Sequence, residues 1–345
     1  MTDKLVSVIM GVHGEAGSHL RVALDSICRQ TYSNLEFIII DDAAGSECQT
    51  ILSEYAQNHS YIRLHHNAVN LGLTKSLNIG LAMARGEYIA RMDADDYSVP
   101  DRLERQYRYM EDNPEIDVCG TGVVSFGDRI AFMSPPYSVS NTEVQCGLFF
   151  SGILCHPSVM IRKSFLDRYS LTYDETIPRT QDYDLWERCS LHGQLSVMKE
   201  VLLFYRIHAR QVSYASKSEQ DYYADVVRYK RLSRIGLEPS EREYKCHMLL
   251  AKGCDKSVSP DEVEEWVAKL TEANRQYHLV DIDTFAGELR GRLALFKLRN
   301  GYYLKLLNGR DCAFLCKWSA MLIYMSFRKW NQSRRLNKLF REGYV

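Results

Sequence analysis

The sequence predicts an α/β fold in which a mostly parallel sheet carries helices on both faces. Two observations lead there. Short apolar runs without period-two alternation, as expected of strands buried on both faces, take turns with segments of helical periodicity. Two of these runs end in carboxylates, Asp41-Asp42 and Asp93-Ala94-Asp95-Asp96. That is where parallel sheets bind their ligands.

In chain order, Leu5–Met10 reads as a buried strand, and Leu20, Ala23, Leu24 and Ile27 mark the helix after it. Glu36–Ile40 is a second strand, Cys48–Asn58 a helix, Ile62–Leu64 a short strand and Leu73–Arg85 a helix stopped at Gly86. Tyr88–Met92 is the next strand, and another helix begins near Pro100-Asp101-Arg102-Leu103. From Val118 to Leu203 the pattern turns irregular, with turns at Ser134-Pro135-Pro136 and strand-like runs at Val159–Ile161 and Val201–Leu203. After His208 it is almost wholly helical, beyond a linker-like stretch at Ser213–Ser218. Residues 1–213 are therefore expected to form the catalytic part and 214–345 a helical appendage.

Apolar content of 46% and charged content of 25% suit a soluble globular protein, and a net charge of −1 over 345 residues argues against a nucleic-acid partner. The balance hides an asymmetry. Gly291–Val345 holds twelve Lys/Arg against two acids, a local +10 that leaves −11 for the rest. The ten cysteines show no Cys-x-x-Cys pair or zinc-ligand spacing, which suggests free thiols in a reducing compartment. No signal peptide is read at Met1–Lys4, and the longest apolar stretch, Cys312–Phe327, is short for a membrane span and broken by Lys317. A cytoplasmic protein is expected, or one peripheral on the inner face of the cell membrane.

Three acids in Asp93–Asp96 need a positive partner. Mg²⁺ or Mn²⁺ is the chemistry that suits them, since these ions take hard oxygen ligands and keep positions for substrate phosphates. The plain alternative is a cap for the helix near Pro100.

The order of motifs now resembles glycosyltransferase family 2, nucleotide-sugar enzymes of GT-A fold, from about Val6 to Ser213. The resemblance rests on Ser26–Tyr32, Leu35–Asp42, Asn70–Leu73, Gly86–Asp96, Pro100–Leu103, His156–Met160, Gln181–Trp186 and Tyr205–His208 in sequence. It implies that Asp42 reads the nucleotide base and that Asp93 faces ribose and metal. It also implies that Asp95 and His208 ligate Mn²⁺ or Mg²⁺, and that Asp182 is the base that deprotonates the acceptor, with Asp184 its competitor. Arg206 suits a phosphate or a nearby carboxylate. Asp96 is expected to be a structural cap; Lys75 and Arg102, on helices near the cleft, could meet phosphate, and solvated surface is the expectation for either alone. Where the family has a Pro-x-Tyr-Asn-like turn, this chain has Gly11-Val12-His13-Gly14-Glu15, read as an altered nucleotide contact.

The implied activity is inverting transfer from a UDP- or dTDP-sugar to a glycan or lipid-linked acceptor, as in capsule, O-antigen or exopolysaccharide synthesis. A nucleotidylyltransferase would want a Lys/Arg-bearing Gly-rich loop after the first strand, and Gly11–Gly17 has neither residue. A phosphatase would want its Asp-x-Asp after the first strand. A non-catalytic glycan-binding relative would have no use for both Asp182 and Asp95. In the tail, Trp318, Tyr324, Phe327 and Trp330 interleave with Lys317, Arg328 and Lys329, which suits a helix on an anionic membrane surface.

Overall fold

The structure, a computed structural model, describes residues 3–14, 17–127, 131–132, 139–207, 217–252, 255 and 257–302. Two compact units divide them, one within Met1–Val139 and Leu154–Asp221, the other within Ser140–Ile153 and Tyr222–Arg328.

The first unit is built on one sheet. Its strands are β1 (Val6–Val12), β2 (Leu35–Asp41), β3 (Ile62–His66), β4 (Tyr88–Arg91), β5 (Tyr97–Ser98), β6 (Ile116–Gly127), β7 (Ala131–Phe132), β8 (Met160–Arg162) and β9 (Gln194–Ile207). Their order is β3-β2-β1-β4-β8-β6-β9-β5, with β7 on β6. β3, β2, β1 and β4 run parallel, as the alternation of strands and helices predicts. Beyond β4 the sheet is mixed: β8 is antiparallel to both β4 and β6, β5 to β9 and β7 to β6, while β6 and β9 pair in parallel.

Alternate residues of β1 face opposite layers. Val6, Val8, Met10 and Val12 join the main core with Leu20, Leu24 and Ile27 of the Gly17–Cys28 helix and Ile51 and Leu52 of the Ser46–Asn58 helix. Each such fully buried side chain contributes roughly 1.5–3 kcal/mol. Ile9 points the other way, where Gly80 of the Leu73–Met83 helix lies so close that a Cβ there would meet Ile9 Cγ2 at 2.5 Å.

The irregular region between Val118 and Leu203 contains the two longest strands among the described residues, β6 and β9. β6 looks broken in sequence because glycines punctuate it, and its pairing with β9 shifts register around Gly120 and Gly122. Gly122 is required by close approach, since a Cβ there would lie 2.7 Å from the Glu200 carbonyl oxygen.

The second unit is helical: Asn141–Gly147, most of Lys217–Ser233, Glu241–Lys252, Pro260–Tyr277 and Ile282–Arg299. Phe149, Phe150, Leu232, Trp266, Leu270, Phe285 and Leu289 form its core. Pro260–Tyr277 opens with a capping box in which the Ser259 hydroxyl accepts from the Glu262 N–H and the Glu262 side chain from the Ser259 N–H.

Candidate functional site

The β2-β1-β4 order sets the site. Asp42 follows the last residue of β2, and Asp93 lies two residues past the end of β4, so both sit beyond the carboxyl ends of parallel strands that flank β1.

At the β2 side, Asp42 is 3% exposed and its carboxylate is well provided with donors. Oδ1 accepts from Asn67 Nδ2 and the Leu71 N–H, both at 2.8 Å, and Oδ2 from the Gly72 N–H at 2.9 Å. Burial pushes this carboxyl up, but those hydrogen bonds outweigh it and hold Asp42 below the usual carboxylate range. The Asn70-Leu71-Gly72 motif is thus a turn folded onto Asp42, with Gly72 at φ +85° entering the Leu73–Met83 helix. His13, in the departing loop after β1, joins the same cluster: Nδ1 lies 2.9 Å from the Asp42 carbonyl oxygen and Nε2 2.8 Å from Asn70 Nδ2.

At the β4 side, Asp93–Asp96 form the turn between β4 and β5. Arg206 of β9 fastens this turn: its backbone N–H donates to Asp96 Oδ1 at 2.8 Å and its Nε to the Asp95 carbonyl at 2.7 Å. Its guanidinium rests 4.3 Å from the centre of the Phe126 ring. Asp96 is therefore no cap for the following helix, whose N-cap is Asp101; it anchors β9 instead. It is fully buried, and Oδ2 has no hydrogen-bond partner among the described residues. Burial, with Asp95 and Asp93 nearby, pushes Asp96 well above the usual carboxylate range. Asp93 and Asp95 are half-buried.

The third acid arrives from far along the chain. The Gln181–Cys189 helix buries Leu185 and Trp186 completely, which leaves Asp182 in its first turn. Burial raises the Asp182 carboxyl against the pull of the Tyr183 and Asp182 N–H groups and of Arg91, and Asp93 raises it further. Asp93 and Asp182 thus share one electrostatic neighbourhood. Asp184 is committed elsewhere: it is fully buried and bound to Arg188 Nε at 2.8 Å on its own helix. Thr180, just before the helix, is held at φ +55°, and Ala43, just after Asp42, at the same value. The other two non-glycine residues with positive φ among those described, Ser170 and His278, are ordinary helix C-caps.

Several motif residues tie these parts together rather than meet ligand. Arg102, expected at the surface, is fully buried, and its Nη2 donates to the carbonyls of Arg91 and Val159. Burial pulls it down to about 10, although Asp96 and Cys155 resist. Gln30 donates to the Val99 carbonyl and accepts from the Leu103 N–H. Lys75 is solvent-exposed, as expected.

Over residues 7–170 the chain matches the profile of glycosyl transferase family 2. It is 35% identical over 228 residues to an uncharacterized glycosyltransferase of Methanocaldococcus jannaschii, covering 65% of this chain and 78% of that one. The O-antigen biosynthesis glycosyltransferase WbnJ of Escherichia coli is 32% identical over 230 residues, 64% of this chain and 85% of its own. The chain belongs to glycosyltransferase family 2. Its fold is the GT-A fold. The structure of S. aureus TarS 1–349 in complex with UDP-GlcNAc superposes at a TM-score of 0.53 with 14% identity, covering 98% of this chain and 92% of that one.

Mn²⁺ or Mg²⁺ fits the donor set of this glycosyltransferase. Asp93 and Asp95 offer hard carboxylate oxygens, and among the described residues no third His, Cys, Asp or Glu completes an all-protein cage. These ions are commonly held by one or two carboxylates plus substrate phosphates. His208 lies outside the described residues, as does the basic tail from 303 onward. Among the described residues no helix is long and apolar enough to cross a membrane, and seven cysteines are free thiols. Sequence reasoning passed over Arg91, Asn67 and Tyr173. The only signal available was Arg91 itself, a charge at the end of an otherwise apolar strand.

Proposed function

We propose that this glycosyltransferase moves a sugar from a UDP- or dTDP-sugar to a glycan or lipid-linked acceptor with inversion at the anomeric carbon, in the synthesis of a surface polysaccharide. The observation that supports it most is the neighbourhood shared by Asp93 and Asp182, two acids about ninety residues apart in sequence that both feel the buried Arg91 charge. The likeness to a relative named for O-antigen biosynthesis and to a structure holding UDP-GlcNAc points the same way.

In this reading residues 1–213 hold the chemistry and 214–345 support it. Asp42 and Asp93 are separated by two strand spacings, about 10 Å, which suits a base at one and a ribose or diphosphate at the other. The Asp42 carboxylate, kept ionised by its donors, accepts from the N3–H of the base. Asp182 accepts the proton of the acceptor hydroxyl as that oxygen bonds to the anomeric carbon and the bond to the diphosphate breaks. A carboxyl raised by burial is a better base than an exposed one. Asp95, with His208, would hold the metal, and Arg206, which fastens the acidic turn, is the cation at hand for the diphosphate. When bound, the ion offsets charge on the departing diphosphate. Family membership speaks for sugar transfer over nucleotidyl transfer. The aromatic and basic tail would bring the enzyme to anionic lipid, where each basic residue near the surface is worth about 1 kcal/mol.

A panel of UDP-, dTDP- and GDP-sugars, each assayed for release of nucleoside diphosphate with Mn²⁺, with Mg²⁺ and with EDTA, tests the donor and metal assignments together. Turnover of one UDP- or dTDP-sugar that is lost in EDTA is expected; full activity in EDTA would remove the metal from the site.

A further inference from the structure

Arg91 ends β4, and its side chain is 3% exposed. Nη2 forms an ion pair with Asp93 Oδ1 at 2.5 Å, but none of Nε, Nη1 and Nη2 has a well-aligned hydrogen-bond partner among the described residues. Against the guanidinium lies a cavity of about 10 Å³ lined by Ile9, Leu77, Ile89, Ile161 and Tyr173. A buried cation with unmet N–H groups beside an apolar wall is an expensive way to fill space. An apolar side chain of similar volume in place of a buried ion pair is often neutral or stabilising. What an arginine supplies here, and a methionine would not, is a charge that cannot be titrated away, held against the Asp93 carboxylate. The neighbouring imidazole cannot substitute. His156 Nε2 is engaged with Tyr173 Oη at 2.7 Å, and burial, with Arg91 close by, holds its pKa well below the usual histidine value.

We propose that Arg91 is a positioning residue of the donor site, holding one oxygen of Asp93 by its charge and so fixing how that carboxylate meets the nucleotide sugar. The side chain of Asp93 is 27% exposed, so its carboxylate is open to the cleft while one oxygen is tethered. The inference rests on the donor-site reading above and adds to it a residue that never touches substrate.

Because Arg91 acts through Asp93, the two belong to one device, and a double-mutant cycle detects that directly. The probe is UDP with saturating Mn²⁺, titrated calorimetrically into wild type, Arg91→Met, Asp93→Asn and the double variant, with thermal melts of each. Each single substitution should weaken UDP binding at least tenfold, and the double should bind within threefold of the weaker single. If Arg91→Met does not fold, Arg91→Lys takes its place in the cycle, with the same tenfold loss expected and unchanged UDP binding overturning the inference. A wild type that binds none of UDP, dTDP or GDP overturns the donor-site reading and this inference with it. A wild type that binds UDP while Arg91→Met binds it equally well, or losses that multiply in the double variant, overturns the inference alone and leaves Arg91 a space-filling residue.

Discussion

Two buried charge networks, one in each unit, are built from similar residues and end differently. In the helical unit the buried cations direct donors to backbone carbonyls as well as to side chains. Arg228 Nε donates to Phe150 at 2.8 Å, Arg231 Nη2 to Gln145 at 3.0 Å, and His247 Nε2 lies 2.8 Å from the Phe149 carbonyl oxygen. Trp266 Nε1 then donates to His247 Nδ1 at 3.3 Å. In the sheet unit the buried groups of the acidic turn keep unspent capacity, with Arg91 Nε and Nη1 and Asp96 Oδ2 lacking partners among the described residues. The first network ties the loop at Phe149-Phe150 to the helices of its unit. Buried polar groups left unsatisfied in a native fold are rare enough to need a physical cause, and a ligand is one.

That contrast can be broken by substitution. The largest expected effect is on catalysis. Asp182→Asn should lower kcat by about 100- to 10,000-fold with little change in donor affinity, while Asp184→Asn should mainly loosen the helix that Arg188 braces. Steady-state kinetics on the two variants checks this, and a dead Asp184→Asn beside an active Asp182→Asn would reassign the base. The wild-type pH profile should agree. Because burial raises the Asp182 carboxyl, activity should fall as pH drops through a value above the usual carboxylate range, and that limb should vanish in Asp182→Asn.

Next in size is Arg228→Met, which strands the Phe150 carbonyl and should cost about 1–3 kcal/mol of stability while leaving UDP affinity intact. Chemical denaturation and UDP titration of the same variant separate the two readouts. If UDP affinity falls in proportion to stability, the two networks are not independent.

A smaller, pH-dependent effect belongs to Glu36, which closes a third network within the sheet unit by accepting from Ser7 Oγ, the Arg85 N–H and Arg63 Nη1. Burial raises this carboxyl, but the hydrogen bonds win and hold it at about 2, against an ordinary 4.5. Because the folded state holds the proton less tightly, the stabilisation is full above the unfolded value and is lost as pH falls toward 2. Glu36→Gln should therefore destabilise the protein at neutral pH and hardly at all near pH 2, as denaturation midpoints at the two pH values will tell.

The parallel half of the sheet was legible because β1, β2 and β4 carry apolar stretches at Val8–Met10, Phe37–Ile40 and Tyr88–Ala90 without period-two alternation, as strands covered on both faces do. β6 was not, because Gly120 and Gly122 look like turns unless one knows that Glu200 will press against the backbone there. The acids beyond β2 and β4 announced themselves by composition. Their tethers did not: Arg102 reads as a surface residue and Gln30 shows no role, since a long polar side chain carries no local mark of the carbonyls it will meet. Nor does residue order show that Ser140–Ile153 packs with helices some eighty residues later, because Phe149 and Phe150 suit any core.

Thr180 and Ala43 have one more consequence. Both are held in the left-handed region, where glycine is at ease and a side chain costs of order 1–3 kcal/mol. Glycine at Thr180 should therefore raise the melting temperature and, with Asp182 as the proposed base in the first turn of the helix that follows, should lower kcat. A gain in durability that comes with a loss of speed would mark Thr180 as a brake on the fold kept for the chemistry.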